Sequence, residues 1–396
     1  MLSFSFKNQL KRMCIFILFC LVTCGCSPEN KQQSKNSIPL TTIELGNEAL
    51  DKKIGNTDDY FEITKVMPLQ FSEAGIITGV GKAFKIADKF FLFDKNYSAL
   101  KAFSDDGKFL YNIGTIGQGP GEFTRLYDVD YIKEDSVFFL YCMNEHSLLT
   151  FRPNGKFVKK YDVPLFGYYF ARNNNKNYYY INYNTSEHNN SSNIVITDDA
   201  NDILHTYLPY NNKKKSSLFS FSGFLTKNNE SNILTANAFA DTVYEINKEG
   251  IYPKYFLNFG KDNCPPEAKE HDKMAKILAT CTYLNATFFE SQKAIFFTLT
   301  RKGKYAKCCW LKKQNLILTD RQFEKVSLFS LLSSHKFTNA DGSYFAFIYP
   351  ETFFDLKEYK PEIMENIKRE YPQLYPYLLN LKEDDNPLLI EFKIKI

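Results

Sequence analysis

Beyond about Tyr60 the apolar residues fall in short runs of period-two alternation, separated by clusters of Asn, Asp, Gly and Lys. Half-buried strands joined by tight turns give this pattern, which predicts an all-β fold assembled from hairpins. The pattern also repeats. Residues 91–109, FLFDKNYSALKAFSDDGKF, align without gaps on residues 139–157, FLYCMNEHSLLTFRPNGKF, with eight of nineteen positions identical. The shared Phe-Leu, Asn, Leu, Phe and Gly-Lys-Phe positions read as strand, turn, inward-facing strand, tight turn, strand. A weaker copy at Asp241–Gly250 keeps the spacing of Val243, Ile246 and Gly250, displaced by 143 residues, about three times 48. A period near 48 with several strands per unit is that of a β-propeller, whose blades bury their faces against one another. Residues 60–360 have room for six such units.

The tail alternates Ile390, Phe392, Ile394 and Ile396 with Glu391, Lys393 and Lys395, an amphipathic strand. Pairing it with Phe61–Val66 would close the ring and remove an open sheet edge. Two stretches interrupt the strands: Pro265–Thr280 reads as a helix opened by its prolines, and Pro361–Tyr371 as a helix ending before Pro372. Both are expected as small insertions on the propeller.

Upstream of the strands, Lys7, Lys11 and Arg12 precede an apolar run from Met13 to Cys24, the charged and hydrophobic regions of an export signal. Twelve residues are too few to span a bilayer as a helix. The run closes on Leu21-Val22-Thr23-Cys24-Gly25-Cys26-Ser27, where small residues before a cysteine let a lipoprotein signal peptidase reach the backbone. We expect residues 1–25 to be the signal, Cys26 the lipidated residue with Cys24 as the alternative, 26–56 a flexible Asn/Gln/Ser/Lys-rich tether, and 57–396 the propeller. A plain secretory signal is the other reading of the same residues. Three acyl chains would suffice as anchor. Ser27, in place of a retention-signalling Asp, points to the outer membrane; the leaflet is not legible.

Composition alters this picture little. The formal net charge of +4 falls to +1 once residues 1–25 are removed, so no basic balance argues for nucleic acid, and Lys213-Lys214-Lys215 reads as a solvated loop tip. Five cysteines remain beyond Cys26, namely Cys142, Cys264, Cys281, Cys308 and Cys309, with no C-x-x-C pair. A Cys264–Cys281 bridge and buried thiols are both open readings.

Gly107-Lys108-Phe109-Leu110-Tyr111-Asn112-Ile113-Gly114, followed by Gly117-Gln118-Gly119-Pro120-Gly121-Glu122-Phe123, resembles the six-bladed β-propeller lipoproteins of gut-type Gram-negative bacteria, relatives of NHL-repeat propellers. The tail Asp385-Asn386-Pro387-Leu388-Leu389 and the Cys26 region share the resemblance. It implies a fold and a cell-envelope location, and makes the Gly-rich segment a loop between blades. It implies no activity.

Candidate chemistry is sparse. No Gly-Lys-Ser/Thr follows the glycines, and Pro120 removes an amide that a phosphate nest would use. His146, His188, His205, His271 and His335 lack ligand spacing, although a propeller channel can gather distant residues and His146 sits in a repeat turn. No G-x-S-x-G is present, and Cys308-Cys309 has no evident base. Asp94, Asp105, Asp106, Asp198 and Asp199 fall where turns bond their own backbone. Tyr168-Tyr169-Phe170 and Tyr178-Tyr179-Tyr180 could stack on sugars or anchor a partner. Asp135-Ser136-Val137 and Asp241-Thr242-Val243 match a short O-glycosylation pattern, making Ser136 and Thr242 candidate acceptors. The expectation is a lipid-anchored binding or interaction module for a glycan, a peptide or an envelope protein, with no cofactor and no nucleic acid. The alternative is a lyase or hydrolase with a metal or carboxylate site in the channel.

Overall fold

A computed structural model describes residues 39–55, 59–183, 191–210, 223–228, 230–265, 278–322, 327–338 and 342–395. Strand β1 (Thr41–Glu44) and the short helix α1 (Asn47–Asp51) come first, then β2 (Phe61–Pro68). Six sheets follow. Blade 1 is β3 (Val80–Ile86), β4 (Lys89–Asp94), β5 (Ala99–Ser104) and β6 (Phe109–Ile113). A two-stranded parallel link, β7 (Thr115–Ile116) and β8 (Glu122–Phe123), leads to blade 2: β9 (Asp128–Ile132), β10 (Val137–Cys142), β11 (Ser147–Phe151) and β12 (Phe157–Asp162). Blade 3 is β13 (Tyr169–Asn173), β14 (Lys176–Tyr180), β15 (Ser192–Thr197) and β16 (Ile203–Pro209). Blade 4 is β17 (Phe224–Lys227), β18 (Ile233–Ala236), β19 (Thr242–Asn247) and β20 (Gly250–Asn258). Blade 5 is β21 (Thr282–Glu290), β22 (Ala294–Arg301), β23 (Lys304–Leu311) and β24 (Leu316–Thr319).

After α2 (Leu328–Leu331), blade 6 begins with β25 (Phe337–Thr338) and β26 (Tyr344–Ile348), takes a detour through α3 (Pro350–Tyr359), α4 (Ile363–Glu370) and α5 (Tyr375–Asn380), and resumes with β27 (Leu388–Ile394). Its fourth strand is β2, antiparallel to β27 with Phe61 opposite Ile394 and Pro68 opposite Leu388. The fold is a six-bladed β-propeller closed by its terminal strands, as the alternation at both ends predicts. The gapless repeat falls on β4–β5–β6 and β10–β11–β12, and the weaker copy on β19, the third strand of its blade as β5 is of the first.

Each neighbouring pair of blades encloses its own apolar wedge. Phe91, Phe93, Phe138 and Leu140 fill the wedge between blades 1 and 2, and Tyr141, Phe170, Tyr179 and Val195 the one between blades 2 and 3. The largest lies between blades 5 and 6, where Phe61, Phe296, Tyr344 and Phe392 meet Ile363, Ile367 and Leu374 of the helical detour. Alternate residues of both sheets thus go into wedges on opposite faces, which is why the chain needs so many Phe and Tyr. Gly107 ends the β5–β6 turn at φ +87°, and a Cβ there would lie 2.2 Å from the Pro68 carbonyl oxygen, so the repeat's glycine is fixed by conformation and by space.

The structure refines four expectations. The helices are inserted inside blade 6, so six blades need more than the span 60–360 and reach residue 394, within the expected 57–396 and through the expected tail strand. Part of the stretch read as tether is structured: Ile43, Leu45 and Leu50 are buried, and β1 adds a fifth, parallel strand to blade 4 alongside β20, so a short apolar alternation was hidden in polar sequence. Cys264 and Cys281 form a disulfide with Cα atoms 5.1 Å apart, while Cys142, Cys308 and Cys309 are buried thiols. The helix read over 361–371 is α4, whereas that over 265–280 falls mostly outside the described residues; Lys213-Lys214-Lys215, His188, His271, Cys26 and residues 1–25, read as a signal, lie outside them too.

Candidate functional site

The innermost strand of each blade runs along the central axis, and its inward side chains alternate with those that enter the wedges. A cavity of about 330 Å³ opens between these strands. All six blades reach it: Lys82 of β3, Asp128 and Asp130 of β9, Tyr169 of β13, Lys227 of β17, Phe289 of β21, and His335 just before β25.

Asp128 and Asp130 sit two residues apart and so face the same side of β9. Both bridge to the next blade. Asp128 Oδ2 accepts the Phe170 amide at 2.8 Å and the Lys82 ammonium at 2.8 Å, while Oδ1 accepts the Val129 amide at 2.9 Å. Asp130 Oδ2 accepts the Arg172 amide at 2.7 Å and pairs with Lys227 at 2.5 Å. The inner edge of β13, which has no neighbouring strand on the channel side, thus has its amides satisfied by carboxylates. Lys82 also donates to the Val129 and Phe170 carbonyls, at 3.1 and 2.8 Å. These residues fasten blades 1, 2, 3 and 4 around the channel, and each carboxylate charge is neutralised by a lysine.

Two further groups are aimed at the mouth. Lys95, exposed in the β4–β5 turn, lays its stem across Gly81 of β3, where an added Cβ would meet Lys95 Cε at 2.2 Å. Its ammonium lies 5.2 Å from the Tyr169 ring centre, within cation–π range. His335 lies deep in the protein yet is exposed, because its surface faces the cavity. The enclosing walls, and then the Lys95 and Lys336 ammoniums, push its pKa down, so the imidazole is neutral at physiological pH.

Lys336 leads away from the cavity, with its ammonium 5.5 and 5.8 Å from the ring centres of Phe296 and Phe329 and donating to the Ser333 carbonyl. Burial, then the neighbouring Lys307, pushes its pKa well down. Sequence reasoning passed over both Lys336 and the Asp-Val-Asp of β9, although carboxylates at i and i+2 beginning an apolar strand are a visible signal of inward-facing charge.

The other candidates lie elsewhere. His146 occupies the β10–β11 turn at φ +47° and packs on Phe166 with ring centres 4.4 Å apart, so it is not a channel residue; the repeat placed it at a turn away from the inner strand. His205 is in the outer strand β16 beside Tyr207. Asp94 caps its turn, accepting the Asn96 and Tyr97 amides, and Asp198 does the same for Ala200 and Asp202. Of the two tyrosine clusters, Tyr169 reaches the channel while Tyr178, Tyr179 and Tyr180 are buried between blades. Gly117–Phe123 is the link between blades, with the Gly119 amide bound by Glu122 at 2.7 Å. Ser136 is exposed in the β9–β10 turn; Thr242 opens β19 half-buried, its hydroxyl donating to Asp241 at 2.9 Å. Among the described residues, no three His, Cys, Asp or Glu side chains converge to hold a metal ion.

Six blades around a lined axial cavity define the class: a β-propeller with a central pocket. Within that class the chain belongs to the family described as a domain of unknown function, DUF4934, whose model matches residues 40–393. No curated protein matches the sequence. A Bacteroides fragilis protein described as exported is similar in structure, with TM-score 0.72 and 17% identity over 90% of this chain and 100% of that one. A member of the DUF4221 family from Bacteroides vulgatus is similar at TM-score 0.53 and 10% identity, covering 85% and 99%. At these identities the likeness is one of fold.

Proposed function

We propose that this protein is a lipid-anchored propeller of the cell envelope that binds a ligand in its central channel and does no chemistry on it. The carrying observation is the 330 Å³ cavity to which all six blades contribute aromatic faces and charged ends. Its volume is at the lower end of the range of small-molecule sites, room for one or two ring-sized groups. A glycan fragment or the tip of a peptide or partner protein suits it. The Lys7–Cys26 segment supports export and lipidation at Cys26, in the outer membrane by the Ser27 reading, and the description of the Bacteroides fragilis neighbour as exported agrees with export alone. The likeness to NHL-type lipoprotein propellers and glycosylation at Ser136 or Thr242 belong to the same proposal.

The test is thermal unfolding of the protein with a panel of oligosaccharides, peptides and divalent cations, since a ligand of the native state raises the midpoint. We expect one organic class to do so, and Thr287→Trp, which fills the cavity from β21, to abolish the shift. A shift unaffected by Thr287→Trp would place binding elsewhere, and one produced by a metal alone would favour the enzymatic alternative. Loss of palmitate labelling in Cys26→Ala tests the anchor.

A further inference from the structure

We infer that the channel mouth selects a small organic anion, a carboxylate on a compact and partly apolar body, with Lys95 as the group that recognises its charge. This rests on the channel being the binding site. The argument is an accounting of charge. Asp128 and Asp130 are spent on Lys82 and Lys227 and on the backbone of β13, with side chains 0% and 7% exposed. Asp94, the carboxylate nearest Lys95 in sequence, is fully buried and turned toward the amides of Thr78, Asn96 and Tyr97. Lys336 points into the wedge between blades 5 and 6. Lys82 and Lys227 line the same space already paired with Asp128 and Asp130, so the cation left for a ligand is the Lys95 ammonium, beside the neutral His335 and the rings of Tyr169, Phe84 and Phe289. Among the described residues no carboxylate pairs with Lys95.

The position of Lys95 is built. A side chain at residue 81 would displace its stem, so Gly81 leaves the groove that carries Lys95 from an outer hairpin across the innermost strand to Tyr169. His335, in the neighbouring blade 6, is close enough to Lys95 to feel its charge and can donate a hydrogen bond to the same anion. The rings beneath would take the apolar face of the ligand. Acidic sugars and peptide C-termini share this chemistry.

The experiment is calorimetric titration of the full chain, purified in detergent, with four probes: digalacturonate and its neutral counterpart digalactose, and a short apolar peptide with a free or an amidated C-terminus. We expect one acid to bind at least about tenfold more tightly than its neutral twin, the difference a charge-assisted contact makes. Lys95→Met, which keeps the stem over Gly81, should erase that preference, Lys95→Arg should retain it, and raised salt should weaken it. Which acid binds distinguishes sugar from peptide. Binding of acid and neutral forms alike, a preference unchanged in Lys95→Met, or no binding of either acid would overturn the inference. Neutral ligands that bind, and are blocked by Thr287→Trp, would leave the channel reading standing without it; ligands indifferent to Thr287→Trp would remove both.

Discussion

Replacing Asp128 by Asn tests whether the inter-blade carboxylates hold the channel together. The substitution keeps size and removes charge. Lys82, its side chain 23% exposed, then loses a counter-ion 2.8 Å away, and the new amide turns a donor toward one of the two backbone amides now bound, those of Phe170 and Val129. Breaking a buried pair from one side costs about 3–5 kcal/mol. Lys82 keeps its two carbonyl acceptors and some solvent, which brings the cost below that range, to about 2–3 kcal/mol. Lys82→Met should be milder, since Asp128 retains two amide donors. The double variant should cost less than the sum of the singles by at least about 1 kcal/mol, the signature of coupling. Urea unfolding measures this, followed by far-ultraviolet circular dichroism and by the fluorescence of Trp310, the chain's single Trp, which is buried in blade 5. Agreement of the two probes would license a two-state treatment. An Asp128→Asn midpoint within about 0.5 kcal/mol of the parent, at unchanged slope, would refute the clasp.

Other consequences are as direct. Glu290 is desolvated, which raises its pKa, but hydrogen bonds from Lys312 at 2.7 Å, Tyr255 and Lys254 at 2.9 Å outweigh this and hold it below the usual 4.5. A depressed carboxylate adds stability that is present above pH 4.5 and lost as pH falls through the folded value, so Glu290→Gln should unfold at a midpoint less sensitive to acid below pH 4.5 than the parent. Lys336→Met should leave stability unchanged or raise it, because it exchanges a desolvated amine for an apolar chain among Phe296 and Phe329. The parent should regain ground on that variant as pH rises toward 10.5, where the unfolded lysine also loses its proton; thermal midpoints at pH 7 and 10 decide this. Phe392→Ala should cost about 3–5 kcal/mol in urea unfolding, since the ring is fully buried against Phe61, Phe296 and Tyr344.

The architecture was legible because the same wedge-filling problem recurs in every blade. Phe91, Leu100 and Phe103 have counterparts at Phe139, Leu148 and Phe151 since each pair meets the same packing environment one blade further on. The pairing of the tail with Phe61–Val66 was legible from the tail's alternation and the need to close the ring, while its register, Phe61 opposite Ile394, was not. The site was not. Lys95, Asp128, Tyr169, Lys227 and His335 come from five blades and follow no spacing, because closure of the ring, rather than any one element, brings them together. Individually each looks like an ordinary turn or strand residue. Only Tyr169 and His335 had been singled out, and nothing local separated His335 from His146, which the fold sends to a turn. The ordered stretch 41–51 was missed for a similar reason: three apolar residues among polar ones acquire meaning only against the outer edge of blade 4.

The pairing of β2 with β27 joins residues more than 300 positions apart, and this has a consequence for how the molecule is made. Five blades can form as hairpins while the chain is emerging, but the sixth has no outer partner until its last strand arrives. Until then β2 remains an unpaired edge, and the wedges on both sides of blade 6 stay open to solvent. Such long-range closure is slow and leaves a sticky intermediate. A chain interrupted before Leu388 would therefore be left as an open ring, with its axial cavity unformed, and would be prey for proteases and chaperones. Ring completion would serve as a built-in checkpoint, since the pocket exists only once β27 has paired with β2.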